Sequence, residues 1–146
     1  MNTPIRRLNG VTYWVIEDPD GIRDFINTEI RKEWEEDAKF VAEDPARDSW
    51  LRTLQKRKWR LEIVRFEQVS LDQNMMNYVD KERGYSFSRS LATRRRELRT
   101  VIEQYRAVIW PIIVSEEDMQ IHDGFCRYTA LTEMGISRLY AYIGTL

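Results

Sequence analysis

The segment 121–131 constrains the fold of this chain more than any other part of the sequence. A glycine at position 124 separates an apolar stretch from a run with helical spacing, which predicts a strand end, a tight turn and a helix start. An apolar run at 108–114 precedes this corner, and residues 139–143 predict a closing strand. The order of these segments places a strand, a sharp turn and a helix N-terminus at one corner of the fold.

The predicted turn has the parts of a phosphate-binding site. Gly124 lets backbone N–H groups approach a ligand closely, and the helix start offers unpaired donors and the positive end of the helix dipole. Arg127, one turn into the helix, adds a cation suited to phosphate. The residues expected to contact the ligand are Gly124, Phe125, Cys126, Arg127 and Thr129. The alternative is an ordinary strand–turn–helix with a solvated arginine.

Bulk composition narrows the class of protein. The 146 residues suffice for one domain with a real core, and a net charge of −1 gives no general attraction to nucleic acid or to anionic membranes. No apolar run approaches the length of a transmembrane helix, and the N-terminus lacks the apolar core of a signal peptide. A single cysteine excludes an intrachain disulfide and favours a reducing, cytoplasmic location.

Hydrophobic periodicity predicts alternating strands and helices along the whole chain. Predicted strands cover 11–16, 59–66, 112–114, 119–121 and 139–143, and predicted helices cover 22–41, a segment capped by Asp48 or Ser49, 88–106 and 125–134. A turn is expected at 18–21 and a loop near Gly84. This order predicts an α+β fold, a mixed sheet with helices on its faces.

The corner also resembles a known family. The sequence Asp123-Gly124-Phe125-Cys126-Arg127, preceded by the strand Pro111-Ile112-Ile113-Val114, is similar to the G-x-x-R signature of the ParB/sulfiredoxin-like superfamily. The resemblance covers mainly residues 95–146. It implies one domain over 1–146, in which a ParB/sulfiredoxin-like core at 59–146 follows an N-terminal extension at 1–58, made of a strand and two helices.

The resemblance implies nucleotide phosphates as ligands, because the matching segment binds them in that superfamily. It implies ATP or another nucleoside phosphate with Mg²⁺, and a kinase that phosphorylates a small hydroxylated metabolite. Asp123 corresponds to an aspartate that lies near the phosphates or their Mg²⁺ in such kinases, and this makes it both a catalytic and a metal-binding candidate. The alternative for Asp123 is an Asx-turn or a helix cap.

Three further residues are catalytic candidates. The kinase-like members place a carboxylate near the first core strand to accept the substrate proton, and Glu62 and Asp72 are the candidates here. His122, the one histidine of the chain, is an acid/base candidate because an ordinary imidazole titrates near neutrality. The alternatives are surface carboxylates and a histidine held by a hydrogen bond.

Departures from the family pattern narrow the expected chemistry. Phe125 and Cys126 stand where the serine-kinase members carry histidines, which speaks against a serine kinase. Cys126 lies one residue after the catalytic cysteine position of sulfiredoxin, so an inert, buried thiol is expected instead.

Two further functions remain open besides the kinase. One is a nucleotide-binding or DNA-associated regulator, and the other is a non-catalytic interaction module. The sequence is compatible with a homodimer. The sequence shows no helix-turn-helix after the closing strand, so nucleic acid is not an expected partner. The arginine run 94–96 is expected to be a solvated helix face paired with acidic residues such as Glu97 and Glu103.

Overall fold

Two β-sheets form the frame of the protein in the computed structural model, which describes residues 4–32, 56–71 and 91–146. The strands are β1 (Ile5–Leu8), β2 (Val11–Trp14), β3 (Lys58–Arg65), β4 (Val108–Ile109), β5 (Ile112–Ser115), β6 (Gln120–Asp123) and β7 (Arg138–Thr145). The helical elements are α1 (Pro19–Phe25), a π-helical turn (Ile26–Ile30), a 3₁₀ turn (Phe66–Gln68), α2 (Leu91–Tyr105) and α3 (Phe125–Glu133). This mixture confirms the predicted α+β class.

The larger sheet has the order β3-β7-β5-β6, and β7 lies inside it. β7 pairs antiparallel with β3 along its whole length and parallel with β5, from Ile112 opposite Ala141 to Ser115 opposite Gly144. Because both faces of β7 are covered, its residues form a nearly continuous buried run rather than an alternating one. The antiparallel strand β6 forms the edge and leads directly into α3.

The smaller sheet has the order β1-β2-β4. The strands therefore divide between two sheets, where the sequence predicted one. Pro111 explains the division, because a residue without an N–H cannot continue a ladder from β4 into β5. The short strands β1 and β4 were not predicted. β1 joins β2 in a hairpin, and β4 pairs parallel with β2 through Thr12 opposite Val108 and Tyr13 opposite Ile109.

One large core joins the two sheets. Its buried members include Leu8, Val11, Tyr13 and Val15 from the N-terminal region, packed together with residues of β5, β7 and α3. A second cluster lies on the other face of the larger sheet, where Ile22 and its helical neighbours cover β5 and β7. The beginning of the predicted extension at 1–58 thus packs into the same core as the later strands.

The first helix begins earlier than its sequence pattern indicates. The turn predicted at 18–21 is wrong, because Asp18 caps α1 by accepting a hydrogen bond from the Gly21 amide at 2.9 Å, and Pro19 occupies the first helical position. Proline fits there because its missing N–H would be unpaired in any case. The helix predicted after Asp48 or Ser49, and the loop near Gly84, lie outside the described residues.

The remaining predicted elements agree with the structure within a few residues. β3, β5, β7 and α3 lie where the periodicity placed them, and α2 occupies the predicted helix at 88–106 as far as that segment is described. β6 begins one residue later than predicted and continues to Asp123. Across 4–32, 56–71 and 91–146, none of the helices has the length and apolar character that spanning a bilayer requires.

Candidate functional site

The corner between β6 and α3 is built around Gly124. Its backbone has φ 102° and ψ 26°, in the left-handed region, and it occupies the N-cap position of α3 without any side-chain cap bond. A Cβ atom here would lie 2.7 Å from Ile112 Cγ2 and 2.8 Å from Arg127 Nη2. Both the backbone conformation and the lack of space therefore require glycine.

Arg127 folds back over this turn instead of extending into solvent. Its Nη1 donates to the carbonyl oxygens of Trp110 at 2.8 Å and Pro111 at 3.2 Å, and its Nη2 donates to Asp123 Oδ2 at 2.7 Å. The side chains of Arg127 and Asp123 are only 17% and 20% exposed, so the pair is shielded from most of the solvent. The guanidinium is thus held at the turn by the chain's own oxygen atoms.

Two buried tyrosines lie close enough to Arg127 to experience its positive charge. Burial raises the pKa of Tyr142 to about 12, against a hydrogen bond from the Ile16 amide and the positive charge of Arg127. Burial also raises the pKa of Tyr13, which experiences the same charge. These hydroxyls stay protonated near neutrality, so the aromatic surroundings of Arg127 carry no negative charge of their own.

The other residues expected at the helix start have different surroundings. Phe125 packs against the large core. The hydroxyl of Thr129 bonds back to the helix carbonyls of Phe125 at 2.9 Å and Cys126 at 3.2 Å. Cys126 is partly exposed, so the prediction that its thiol is buried is wrong. The structure therefore brings Asp123, Gly124 and Arg127 together, while the side chain of Phe125 packs against the core and the hydroxyl of Thr129 bonds within its own helix.

His122 belongs to a separate polar chain. Its Nε2 lies 2.8 Å from Ser115 Oγ, and that hydroxyl donates to Asp118 Oδ1 at 2.7 Å. Because the single hydroxyl proton goes to Asp118, His122 Nε2–H is the donor in its bond to Ser115. Burial lowers the pKa of His122 to about 4, so the imidazole is neutral at neutral pH. This geometry fits the alternative of a hydrogen-bonded histidine better than an acid/base role.

Ser115, His122 and Asp118 do not form a hydrolytic triad. A triad requires the histidine between the serine and the carboxylate, whereas Ser115 occupies the middle position here. Ser115 is also only 2% exposed, which keeps substrates from its hydroxyl. The hydrogen bonds of His122, Ser115 and Asp118 are therefore a structural link between β5, β6 and the turn that connects them.

Glu62 is not part of the Asp123 corner. It lies on β3, at the opposite edge of the four-stranded sheet from β6. The two strands are three strand spacings apart, which is roughly 14 Å. Its carboxylate accepts a hydrogen bond from Arg60 Nε at 2.7 Å. Asp72 lies outside the described residues. Ser70, two positions earlier, forms a β-bridge with Gln120 of β6 and exchanges backbone hydrogen bonds with Met119 and Ile121.

Two arginines of α2 have acidic partners, and one of them, Arg95, belongs to the run 94–96. Arg99 Nε lies 2.8 Å from Glu103 Oε1, and Arg95 Nε lies 3.0 Å from Glu133 Oε1 of α3. Among the described residues, no group of three or more histidine, cysteine, aspartate or glutamate side chains has a metal-binding arrangement. A cation at Asp123 would therefore need ligand oxygens and water to complete its coordination.

Asp123 and Arg127 carry opposite charges on the two sides of Gly124, which was a further signal in the sequence. The structure pairs them across the turn. The carbonyls of Trp110 and Pro111 that hold the guanidinium had no signal in the sequence. They reach Arg127 only because the chain between β4 and β5 passes beside the start of α3.

No family model matches the chain, and no curated protein matches it. Among solved structures, the chain is similar to a pNOB8-like ParB N-domain in a C2221 crystal form, with 16% identity and a TM-score of 0.43 over 62% of this chain. A second pNOB8-like ParB N-domain structure has 14% identity and a TM-score of 0.45 over 62% of this chain.

The matched segment covers 30% and 29% of those two chains. The similarity to these ParB N-domains is one of fold, over part of this chain. A proposal for the function therefore rests on the geometry of the corner at Gly124.

Proposed function

We propose that this protein binds a nucleoside phosphate at the corner formed by Asp123, Gly124 and Arg127. The observation that carries the proposal is the left-handed Gly124, which brings the Arg127 guanidinium against a helix start that no side chain caps. Backbone donors, the positive end of the α3 dipole and a guanidinium converge there, and each favours a phosphate group.

Asp123 is the internal competitor of such a ligand. Its carboxylate now accepts the hydrogen bond from Arg127 Nη2 that a phosphate oxygen would take. A phosphate carries more charge than a carboxylate and offers more acceptor oxygens, so it can displace Asp123 from the guanidinium. Displacement leaves the Asp123 carboxylate beside the phosphates, where it would hold Mg²⁺ together with phosphate oxygens and water. This is the usual way in which proteins bind that ion.

The finer form of the proposal is a kinase that transfers the terminal phosphoryl group to a small hydroxylated molecule. The acceptor oxygen forms the new P–O bond, the bond to the bridging oxygen breaks, and a carboxylate takes the hydroxyl proton. Glu62 and Asp72 are the carboxylates considered for this role. Glu62 lies at the far edge of the sheet from the corner, and Asp72 lies outside the described residues.

Calorimetric titration with ATP, ADP and CTP, with and without Mg²⁺, tests the binding step. We expect Arg127→Ala to weaken nucleotide binding at least tenfold, because it removes a charged hydrogen-bond donor to the phosphate. Arg96→Ala is the matched control, since it removes an exposed arginine of α2 and should leave the affinity unchanged. Equal affinities of wild type and Arg127→Ala would refute the proposal.

Asp123→Asn is the second variant, and it separates binding from folding defects. Without Mg²⁺ it should bind nucleotide more tightly than wild type, because the competing negative charge at Arg127 is gone. With Mg²⁺ it should lose the gain in affinity that the metal gives the wild type. Tighter binding of wild type under both conditions would contradict the assignment of Asp123.

A nucleotide-binding regulator without turnover is the second candidate. The observation that favours it is the placement of Glu62 away from the corner, together with the neutralisation of Asp123 by Arg127. Incubating the protein with nucleotide, Mg²⁺ and a mixture of hydroxylated metabolites distinguishes the two candidates. Nucleotide consumption that Asp72→Asn and Asp123→Asn both abolish supports the kinase, and binding without consumption supports the regulator. Salt-dependent DNA binding would instead favour a DNA-associated role.

A further inference from the structure

Three partly exposed aromatic rings lie together next to the proposed phosphate site. Trp110 stacks on Phe25 of α1 with ring centroids 4.3 Å apart and planes 30° apart. The ring centroids of Trp14 of β2 and Trp110 lie 6.4 Å apart, and the two ring planes are tilted by 34°. We call these three residues the aromatic patch.

The patch lies on the side of β2 that faces away from the large core, and its member Phe25 also packs against the second cluster. Along β2, buried Val11 and Tyr13 alternate with partly exposed Thr12 and Trp14, so Trp14 points to the opposite face from the core. The parallel register that pairs Tyr13 with Ile109 brings Trp14 next to Trp110 in the following row. Water therefore reaches parts of these rings, whereas the neighbouring Tyr13 is almost fully buried.

Trp110 connects the patch to the phosphate site. Its carbonyl oxygen accepts the hydrogen bond from Arg127 Nη1 at 2.8 Å, while its ring forms the middle of the patch. A single residue thus fixes the position of the guanidinium and of the aromatic surface. Phe25 also lies 6.2 Å from Tyr142, one of the hydroxyl-bearing rings near Arg127.

Trp14 offers the surface for a further ring. Its aromatic neighbour among the described residues is Trp110, and the tilt and distance between the two leave them unstacked. Trp14 is partly exposed, and a tryptophan ring provides a large flat surface. A flat, polarisable ring is the partner that such a surface binds best, and a neighbouring guanidinium favours a ligand that also carries negative charge.

We propose that the aromatic patch binds the base of the nucleotide whose phosphates occupy the Gly124 corner, with Trp14 as the main stacking surface. The inference rests on the proposed function and deepens it, because it assigns recognition of the planar ring to β2 and α1. Stacking on an aromatic ring tolerates different bases, so purine and pyrimidine nucleotides should both bind, the larger purines more tightly.

Comparison of ATP with inorganic tripolyphosphate tests the assignment, because tripolyphosphate has the phosphates and lacks the base. Trp14→Leu should weaken ATP binding about tenfold or more and leave tripolyphosphate binding unchanged. Trp14→Phe should restore most of the ATP affinity, since it restores a ring. Tyr105→Leu is the matched control, because it removes a 75% exposed ring at the end of α2 and should alter neither affinity.

Tryptophan fluorescence provides a second readout that does not depend on Trp14→Leu folding. ATP should quench the emission of the wild type more than tripolyphosphate does, and Trp14→Phe should lose that difference.

Each alternative result overturns the inference in a recognisable way. If Trp14→Leu binds ATP as tightly as wild type while Arg127→Ala does not, the phosphate site stands and the base lies elsewhere. If Trp14→Leu weakens ATP and tripolyphosphate equally, Trp14 supports the fold and does not stack on the base. If the wild type binds neither ligand, the proposed function fails, and the inference fails with it.

Discussion

At the scale of single residues, Gly124 decides whether the corner can exist. Its φ of 102° is unfavourable for any side chain, and the space that a Cβ would occupy is already taken by Ile112 and Arg127. A substitution there would force the guanidinium away from the backbone. A Cβ atom at position 124 would therefore disturb both the fold and the proposed phosphate site.

Gly124→Ala should lower the free energy of unfolding by about 1–3 kcal/mol, through backbone strain and the clash with Ile112 Cγ2. Gly135→Ala is the matched control at the other end of α3, where φ is 76° and no atom lies within 4 Å of the added Cβ. It should cost only the left-handed conformation, about 1 kcal/mol. Urea unfolding of both variants measures the difference. Equal losses would show that the close contacts at Gly124 relax freely.

The buried guanidinium of Arg57 gives a second prediction at this scale. Its side chain is 5% exposed, and its Nη1 donates to Glu117 Oε1 at 2.7 Å and to the Gly144 carbonyl at 2.9 Å. Glu117→Gln removes the countercharge and should cost about 1–3 kcal/mol of unfolding free energy. The exposed pair of Glu67 with Arg65 is the control, and Glu67→Gln should change stability by less than about 0.5 kcal/mol. A loss below that value for Glu117→Gln would mean that water reaches Arg57.

At the scale of elements, β6 contains an irregularity that places His122. The register with β5 shifts between Ile113 and Val114, so that Asp123 pairs with Ile113 and Ile121 with Val114, leaving His122 as the extra residue. Such a bulge redirects the side chain at the extra position. Here it accompanies the hydrogen bond from His122 to Ser115, which ties β6 to β5 beside the corner.

Acid should weaken this connection. The folded-state pKa of His122 is about 4, mainly because of burial, against an ordinary value of 6.5. Between these values the unfolded chain binds more protons, so stability is fully present above pH 6.5 and falls as the pH drops toward 4. The loss should reach up to about 3 kcal/mol at pH 4. Arg57, Glu117 and Asp118 are the charged groups that act on the imidazole.

His122→Gln should remove most of this dependence, since glutamine does not titrate. Urea unfolding at several values between pH 7 and 4 gives the slope for both proteins. Asp118 titrates in a separate window, because burial raises its pKa but hydrogen bonds from Ser115 and the Gln120 amide lower it further, below 3.8 overall. Equal slopes for wild type and His122→Gln between pH 6.5 and 4 would contradict the low pKa of His122.

Periodicity predicted the long elements well, and local chemistry explains the exceptions. β3, β5, β7 and α3 carry strong apolar patterns, and the structure contains them at the expected places. β4 has only two residues and forms because β2 lies beside it, a contact distant in sequence. Asp18 and Pro19 suit a turn and a helix start equally well, and the helix forms because Ile22 and Ile26 pack against the larger sheet.

The sequence predicted which residues lie at the candidate site, but it did not predict the contacts that they make. Gly124, Asp123 and Arg127 follow from their positions along the turn, and the structure places them together. The carbonyls of Trp110 and Pro111 cannot be read as ligands of Arg127 from the sequence, because every residue has a carbonyl and only the path of the chain selects these two. The same path brings Trp14 and Phe25 to Trp110.

At the scale of the whole molecule, the proposed ligand would connect parts of the chain that are far apart in sequence. The phosphates would contact β6 and α3, and the base would contact β2 and α1. β2, β6 and α3 contribute to one large core, and α1 packs in the second cluster on the other face of the larger sheet. A ligand that binds only the folded state stabilises all of these elements together.

Nucleotide should therefore raise the melting temperature of the wild type. At about one hundred times the Kd the stabilisation is about 2.7 kcal/mol, which corresponds to a shift of several degrees for a chain of this size. Arg127→Ala should show no such shift at the same nucleotide concentration, and Arg96→Ala should behave like the wild type. Thermal unfolding followed by circular dichroism makes the comparison, and an equal shift in the two variants would place the ligand away from the corner.

The most direct measurement is a titration of ¹⁵N-labelled protein with nucleotide and Mg²⁺, followed through the backbone amide resonances. If the phosphates bind at the start of α3, the amides of residues 124–127 should show the largest shifts, and the indole N–H of Trp14 should shift with ATP but not with tripolyphosphate. If those amides stay unchanged while the protein is saturated, or if the largest shifts fall on α2, the ligand does not bind at the Gly124 corner.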